Sequence, residues 1–309
     1  MAKRVLITGG AGFIGSTAAD RFLSAGWDVA VLDDLSSGKR ANVPAGARFY
    51  PVDLRGEAAA EAIARERPQV ICHQAAQIDV RRSMSDPRHD ADVNLGGLLN
   101  MMQAAVAAGS VEHVVFASSG GATYGDTEVI PTPESHPQLP VSCYGAAKAA
   151  SEIYLGVYRA NYQITFTALR YANVYGPRQD PHGEAGVVAI FCGRLLDGKP
   201  CTIYGDGGQT RDYVFVGDVA AANLLTAEKR FDGPLNVGTG IETDVNAIYA
   251  HLARTAGVSR PAEHAPPRLG EQRRSCVDPR AARAIGWQPE VGIEEGLART
   301  LEYFRKLKG

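Results

Sequence analysis

The chain has 309 residues, 45 % of them hydrophobic and 21 % charged, with 34 glycines and a formal net charge of -2. That is enough apolar material for a large core in one extended or two unequal domains, and the balanced charge excludes polyanion binding as the main task. The cysteines Cys72, Cys143, Cys192, Cys201 and Cys276 form no CxxC pair and no segment approaches a membrane span, so the expectation is a cytoplasmic protein without disulfides, bound metal, membrane or nucleic acid.

Residues 5–8 form the first expected strand, and Thr8-Gly9-Gly10-Ala11-Gly12-Phe13-Ile14-Gly15 follows at once. Glycines at 9, 12 and 15 suit a sharp turn, close approach of backbone to a pyrophosphate, and tight packing of a helix on a sheet. The helix expected over residues 12–25 buries Ile14, Ala18 and Phe22 as one stripe and offers its N-terminal N–H groups to an anion. A second strand over residues 29–32 ends at Asp33, some two dozen residues past Gly9. A carboxylate there accepts hydrogen bonds from the adenosine ribose and repels a 2′-phosphate, which favours NAD over NADP. Asp34 is a weaker cofactor candidate that can equally stand in solvent, and Asp53, after a third strand at residues 49–52, is a candidate for the adenine edge. Further strands at residues 70–73, 114–117 and 164–169 alternate with helix-length segments. This alternation implies an α/β fold of the Rossmann type, a doubly wound parallel sheet covered on both faces.

Tyr144 and Lys148 lie one helical turn apart and therefore share a helix face. A free tyrosine titrates near ~10 and is a poor base at neutral pH. The Lys148 charge and an oxidised nicotinamide would both favour the phenolate, so the pair is expected to move the phenol toward ~7 and to transfer a proton during redox chemistry on an alcohol. Beyond Arg170 prolines and glycines cluster, as in Gly205-Asp206-Gly207-Gly208, and the periodic units shorten. The expected division is a dinucleotide-binding domain over residues 1–172 and a smaller substrate-binding domain over residues 173–309. Residues 235–238 read as one more strand of the first sheet, so about 212–240 should pack back onto it. A last helix carries Ile293, Leu297, Leu301 and Phe304 on one stripe.

In this order the motifs resemble the extended short-chain dehydrogenase/reductase family, and within it the NAD-dependent, UDP-glucose 4-epimerase-like branch. The resemblance rests on the loop from Thr8 to Gly15, on His73-Gln74-Ala75-Ala76 through Val80, Ser83 and Pro87, and on Val93-Asn94. It continues through Ser118-Ser119-Gly120-Gly121-Ala122-Thr123-Tyr124-Gly125, Tyr144/Lys148, Arg170-Tyr171-Ala172-Asn173-Val174-Tyr175-Gly176-Pro177-Arg178-Gln179, Arg211-Asp212-Tyr213-Val214 and Arg268-Leu269-Gly270-Glu271.

The resemblance implies a catalytic set of Ser119, Tyr144 and Lys148, with Ser118 the alternative to Ser119 because Gly120-Gly121 lengthens that loop. It implies an NAD site of Gly9, Gly12, Phe13, Ile14, Gly15, Asp33, Asp34, Ser37, Gly38, Asp53, Leu54, Gln74, Ala75, Ala76, Gln77, Asn94, Tyr144, Lys148 and Tyr171. Ala75, Ala76 and Gln77 would line the nicotinamide side, and Asn94 would fix the fold around the cofactor. His73 is implied to pack, not to catalyse. For a UDP-hexose it implies Ser119, Asn173, Val187, Tyr204, Arg211, Arg268, Glu271 and Ser275. Asn173 would contact the diphosphate, Arg211 and Arg268 would neutralise it, and Glu271 would hold the uridine ribose. Counted forward from Arg268, Ser275 borders the sugar's C2 substituent, and a residue that small leaves room for an N-acetyl group. The implied reaction is C4 epimerisation of UDP-galactose and UDP-glucose through a 4-keto sugar, in a homodimer paired through the helices near residues 94–108 and 144–160. A 4-keto reductase, dehydratase or decarboxylase is the alternative, disfavoured because the dehydratases and decarboxylases carry acidic residues where this chain has Gly120 and Gly121. A non-catalytic NAD-sensing module would have no need of Ser119, Tyr144 and Lys148 together.

Overall fold

The computed structural model describes residues 2–181, 186–267 and 272–308. Its first half lays down strands β1 (Arg4–Thr8), β2 (Asp28–Leu32), β3 (Arg48–Tyr50), β4 (Val70–His73), β5 (His113–Ser119) and β6 (Thr165–Tyr171). Helices α1 (Phe13–Ser24), α2 (Glu57–Glu66), α3 (Val80–Ser85), α4 (Pro87–Ala91), α5 (Gly97–Ala108), α6 (Gly120–Tyr124) and α7 (Cys143–Tyr162) intervene, with a π-helical turn at Asp92–Gly96 before α5. The chain then leaves the sheet for β7 (Asn173–Tyr175), α8 (Val187–Leu196), β8 (Thr202–Tyr204) and β9 (Thr210–Phe215), and returns through α9 (Val216–Lys229) to β10 (Gly233–Val237). All seven main strands are parallel, in the order β3-β2-β1-β4-β5-β6-β10. The sheet and its flanking helices are the Rossmann-type architecture that the alternating sequence implies.

Because side chains alternate along a strand and both faces are covered, the strands read as nearly continuous apolar runs. Val5, Ile7, Val29, Val31, Val70 and Cys72 enter one core, with Ala18 and Phe22 of α1 and Val219 of α9. Leu6, Leu32, Ile71, Val114 and Phe116 enter the other, with Ile63 of α2, Met101 and Met102 of α5 and Leu155 of α7. The observed strands differ from expectation most usefully at their ends. β5 runs on to Ser119 and β6 to Tyr171, and these two residues are paired in register. Hydrogen bonding thus carries candidate site residues to the carboxyl edge of the sheet, where open α/β sheets bind ligands.

The remaining elements are β11 (Glu242–Asp244), α10 (Val245–Ala256), β12 (Glu263–Ala265), β13 (Arg274–Ser275), α11 (Arg280–Ala284) and α12 (Ile293–Lys306). α8, α10 and α12 enclose a third core of Phe191, Ile248, Leu252, Leu297, Leu301 and Phe304 against Tyr175 and Tyr213. β9 pairs with β7, β11 and β13, so the register that sets Ser275 opposite Arg211 belongs to this small sheet.

A charged polar network is buried within the apolar layers. Arg170 of β6 and Glu152 of α7 are both buried, and the guanidinium meets the carboxylate at 3.1 and 2.7 Å. Glu152 Oε1 also accepts from Ser118 Oγ at 2.6 Å, while Arg170 Nη1 donates to Tyr124 Oη and to the Glu134 carbonyl. Removing one partner of such a pair leaves a bare charge in the interior. Arg170→Met should therefore cost about 3–5 kcal/mol of stability, read as a fall in the urea midpoint. Arg299→Met, which removes an exposed partner of Glu295 on α12, should leave the midpoint close to wild type.

Candidate active site

Gly9 ends β1 with φ at +66°, and a Cβ there would stand 2.6 Å from the Ala75 nitrogen. The turn and the tip of β4 can meet only because that atom is absent. At Gly15 a Cβ would lie 2.1 Å from the Gly9 carbonyl, so the first turn of α1 rests directly on the loop. Gly12 differs: its Cβ would approach only the Gly9 oxygen, at 3.2 Å, and the residue faces a cleft. No side chain caps α1 there, which leaves the N–H groups of the first turn, at Phe13, Ile14 and Gly15, to whatever anion enters the cleft. The loop thus fits a dinucleotide pyrophosphate on its own geometry.

Asp33 closes one end of the cleft. It is buried, its Oδ2 accepts from Ala11 N at 2.9 Å and its Oδ1 from Leu35 N at 2.8 Å. Burial raises its pKa and the two N–H groups oppose the rise. Each oxygen keeps a second lone pair, as a ribose diol would require. Gly38 stands behind it, where a Cβ would come within 2.7 Å of Oδ1. Asp34 turns to Ser36, accepting from its N–H and hydroxyl, and Ser37 and Leu54 line the cleft beside it. Asp53 also lines the cleft, but the Arg55 guanidinium holds its carboxylate and depresses its pKa, and Arg55 reaches on to Asp92 at 2.7 Å. The sequence reading missed Arg55 and Ser36 as lining residues; a basic residue two beyond Asp53 was the available signal.

On the sheet edge, Gln74, Ala75, Ala76 and Tyr171 line the same cleft. Asn223 of α9 fixes them from behind: its Oδ1 accepts from Gln74 Nε2 at 2.9 Å and its Nδ2 donates to Tyr171 Oη at 2.8 Å. Gln77 and Asn94 stand behind the cleft, not in it. Asn94 accepts from Gln77 N and donates to Gln77 O, clamping the loop that follows Ala76. His73 is buried against Phe116 with its Nδ1 2.6 Å from Thr8 Oγ1, and burial pushes its pKa down to about 3, so it stays neutral.

Ser142 caps α7 by accepting from Gly145 N, which sets Tyr144 in the first turn and Lys148 one turn further in, both on the cleft wall. Lys148 is 3 % exposed; its ammonium donates to the Ala117 carbonyl at 2.8 Å and lies 4.8 Å from the Phe116 ring centroid and 5.8 Å from that of Tyr144. Burial brings its pKa down to about 8, with Asp90 and Glu152 opposing the fall. The Tyr144 phenol is pushed well above its ordinary value, first by desolvation and then by Asp90. This corrects the expectation of a phenol drawn toward neutrality by Lys148: among the protein's own groups desolvation wins, and the phenol holds its proton until further positive charge arrives. Of the two serine hydroxyls at the end of β5, Ser118 is spent on Glu152. Ser119 Oγ accepts from Ala122 N at 3.3 Å, capping α6, and keeps its own proton to donate.

A second cavity opens where the chain continues past Tyr171. Asn173, Val187, Tyr204 and Arg211 line it together, with Gln209, Arg194 and Gln179, which the sequence reading did not pick. Arg211 has no carboxylate partner among the described residues, and its Nη1 donates to the Thr210 carbonyl. Ser275, opposite Arg211 in the sheet, faces the turn after Ser119: a Cβ on Gly121 would lie 3.2 Å from Ser275 Oγ. Arg268 and Glu271 lie outside the described residues. No group of metal-ligating side chains occurs among the described residues, the five cysteines are free thiols, and no described helix is long and apolar enough to cross a membrane.

Residues 5–238 match the model of the NAD dependent epimerase/dehydratase family. The chain is 47 % identical over 309 residues to the UDP-glucose 4-epimerase of Mycolicibacterium smegmatis, covering 98 % of each protein. Its structure is similar to that of a UDP-glucose 4-epimerase from Thermotoga maritima solved with UDP-glucose, with a TM-score of 0.96 and 44 % identity over 99 % of this chain and 100 % of that one. It is likewise similar to a UDP-glucose 4-epimerase from Thermus thermophilus solved in complex with NAD, with a TM-score of 0.93 and 48 % identity over 98 % of this chain and 99 % of that one.

Proposed function

The chain belongs to the NAD dependent epimerase/dehydratase family, and from that premise we propose that it interconverts UDP-galactose and UDP-glucose by transient oxidation at C4. One observation carries this reading: a single cleft joins the glycine loop and Asp33 to Tyr144 and Lys148, and the chain that leaves it at Tyr171 enters a second cavity at Asn173. NAD, when bound, accepts a hydride from C4 and returns it. Gly12 and the first turn of α1 receive the pyrophosphate, and Asp33 takes the ribose hydroxyls.

Tyr144 moves the C4 hydroxyl proton, Ser119 donates a hydrogen bond to the same oxygen, and the Lys148 charge opposes the desolvation that keeps the phenol protonated. The hydride must reach both faces of C4 from one side, so the sugar has to turn between the two transfers. That is possible when the diphosphate is the main anchor. Arg211 suits the role because a guanidinium fork matches phosphate oxygens. Asn173 lines the same wall, with Val187 and Tyr204 beside the nucleotide; Arg268 and Glu271 complete the proposed set.

The dehydratase and decarboxylase readings need an acid beside Ser119. A Cβ at Gly120 would lie 2.6 Å from Val277, and one at Gly121 would press on Ser275, so neither position accepts an acidic side chain without displacement. For the assembly we propose a homodimer paired on α7, whose Ile153, Tyr154 and Val157 are large apolar side chains exposed on one face. Sedimentation at micromolar concentration should give twice the 32.8 kDa chain mass, and a monomer would contradict the pairing.

Wild-type protein incubated with UDP-galactose should yield UDP-glucose. Tyr144→Phe should keep fold and NAD content while kcat falls by roughly 10² or more; activity within threefold of wild type would remove Tyr144 from the mechanism. The small Ser275 beside Gly121 supports acceptance of UDP-N-acetylglucosamine. Ser275→Tyr should abolish that reaction by steric exclusion and spare UDP-glucose, whereas a wild type inert toward the N-acetylated sugar would end this extension.

A further inference from the structure

Asp90 is 1 % exposed, and it sits on α4, a short helix packed against α7 and the π-helical turn. Its Oδ1 accepts from Gln77 Nε2 at 2.8 Å and from Asn94 Nδ2 at 3.0 Å. Its Oδ2 is equally shielded from solvent and has no hydrogen-bond partner. A carboxylate with one bare oxygen in the interior is unfavourable unless a positive charge lies within reach. The hydrogen bonds to Gln77 and Asn94 explain one oxygen; they leave the other unexplained.

We propose that Asp90 is a positioning residue for the reaction, the buried counter-charge that keeps Lys148 protonated and sets the pH range in which the Tyr144–Lys148 pair works. The inference rests on the roles given above to Tyr144 and Lys148. Burial raises the Asp90 pKa, and Gln77 and then Lys148 oppose the rise; in turn, of the acidic groups supporting the Lys148 charge, Asp90 contributes more than Glu152. Asp90 is also the charge that disfavours a Tyr144 phenolate.

The other charged or titratable groups around α7 are committed elsewhere. Glu152 is shared by Arg170 and Ser118, and Tyr124 of α6 is bonded to Arg170 and Asn236. His73 of β4 is neutral, Asp92 of the π-helical turn is paired with Arg55, and Asp79 caps α3 through Arg82 N. Arg81 and Arg82 of α3 and Arg88 of α4 are exposed, and half-buried His89 acts on Asp90 more weakly than Lys148 does.

Removing the Asp90 charge makes the phenolate easier to form and the ammonium harder to keep. Both limbs of a rate–pH bell then move to lower pH. A residue needed only for shape would lower the rate at every pH without moving the bell. Asp90→Asn is nearly isosteric, and Asp90→Ser is a second uncharged variant should the first fold poorly. In the NAD-loaded enzyme, kcat/KM for UDP-galactose should show both limbs displaced downward by about one unit in either variant. Asp90→Glu, which keeps the charge, should restore the wild-type bell. Independently of turnover, nitrogen NMR of Lys148 Nζ in cofactor-free protein should give a midpoint near 8 in wild type and a lower one in Asp90→Asn. An unmoved Lys148 midpoint overturns the proposal. A wild type that converts no UDP-galactose would instead overturn the reading of the site, and the NMR titration would still decide the place of Asp90.

Discussion

A single ammonium group, Lys148 Nζ, is kept out of water between α7 and the end of β5, and much of the surrounding structure follows from that constraint. A buried cation needs acceptors and counter-charge, or it loses its proton. The Ala117 carbonyl and the face of the Phe116 ring supply the first, and both belong to β5. The register of β5 is in turn tied to α7 through Glu152, which takes Ser118 from the strand and Arg170 from its neighbour β6. With Ser118 and Glu152 so engaged, Ser119 is the hydroxyl left at the strand tip, where it caps α6. The α7 residues Lys148 and Glu152 thus hold Ala117 and Ser118 of the strand and leave the Ser119 hydroxyl free to donate.

The two halves of the chain meet at this edge for a simple topological reason. All seven main strands run the same way, so their carboxyl ends form one rim, and the loop that leaves β6 at Tyr171 passes directly into β7 at Asn173. A single intervening residue, Ala172, separates the cleft that suits a dinucleotide from the cavity that suits a nucleotide sugar. The return of the chain through α9 and β10 then reinforces the first layer from the second half, with Asn223 of α9 holding both Gln74 and Tyr171.

What the sequence made legible was the chemistry that is local in the chain. The glycine loop and the Tyr144–Lys148 helix face are set by spacing within one or two turns of backbone, and Asp33 by the two dozen residues of one strand–helix–strand unit; all of them line one cleft. The partners that decide the electrostatics are long-range. Arg55 takes up Asp53 and joins it to Asp92, Arg170 neutralises Glu152, and Asp90 answers Lys148 across two helices. None of these pairings carries a periodic signal, because tertiary packing alone brings them together. The phenol shows the consequence: Tyr144 and Lys148 were readable as a pair, but the sign of the shift depended on burial and on Asp90, which the local pattern does not contain.

One site both removes hydrogen from C4 as hydride and returns it to the same carbon. UDP-galactose carrying deuterium at C4, converted in ordinary water, tests it most directly. The UDP-glucose formed should keep its deuterium at C4, with none lost to solvent. Product with C4 deuterium replaced by solvent hydrogen would mean that the bond is broken by proton transfer, and would contradict it.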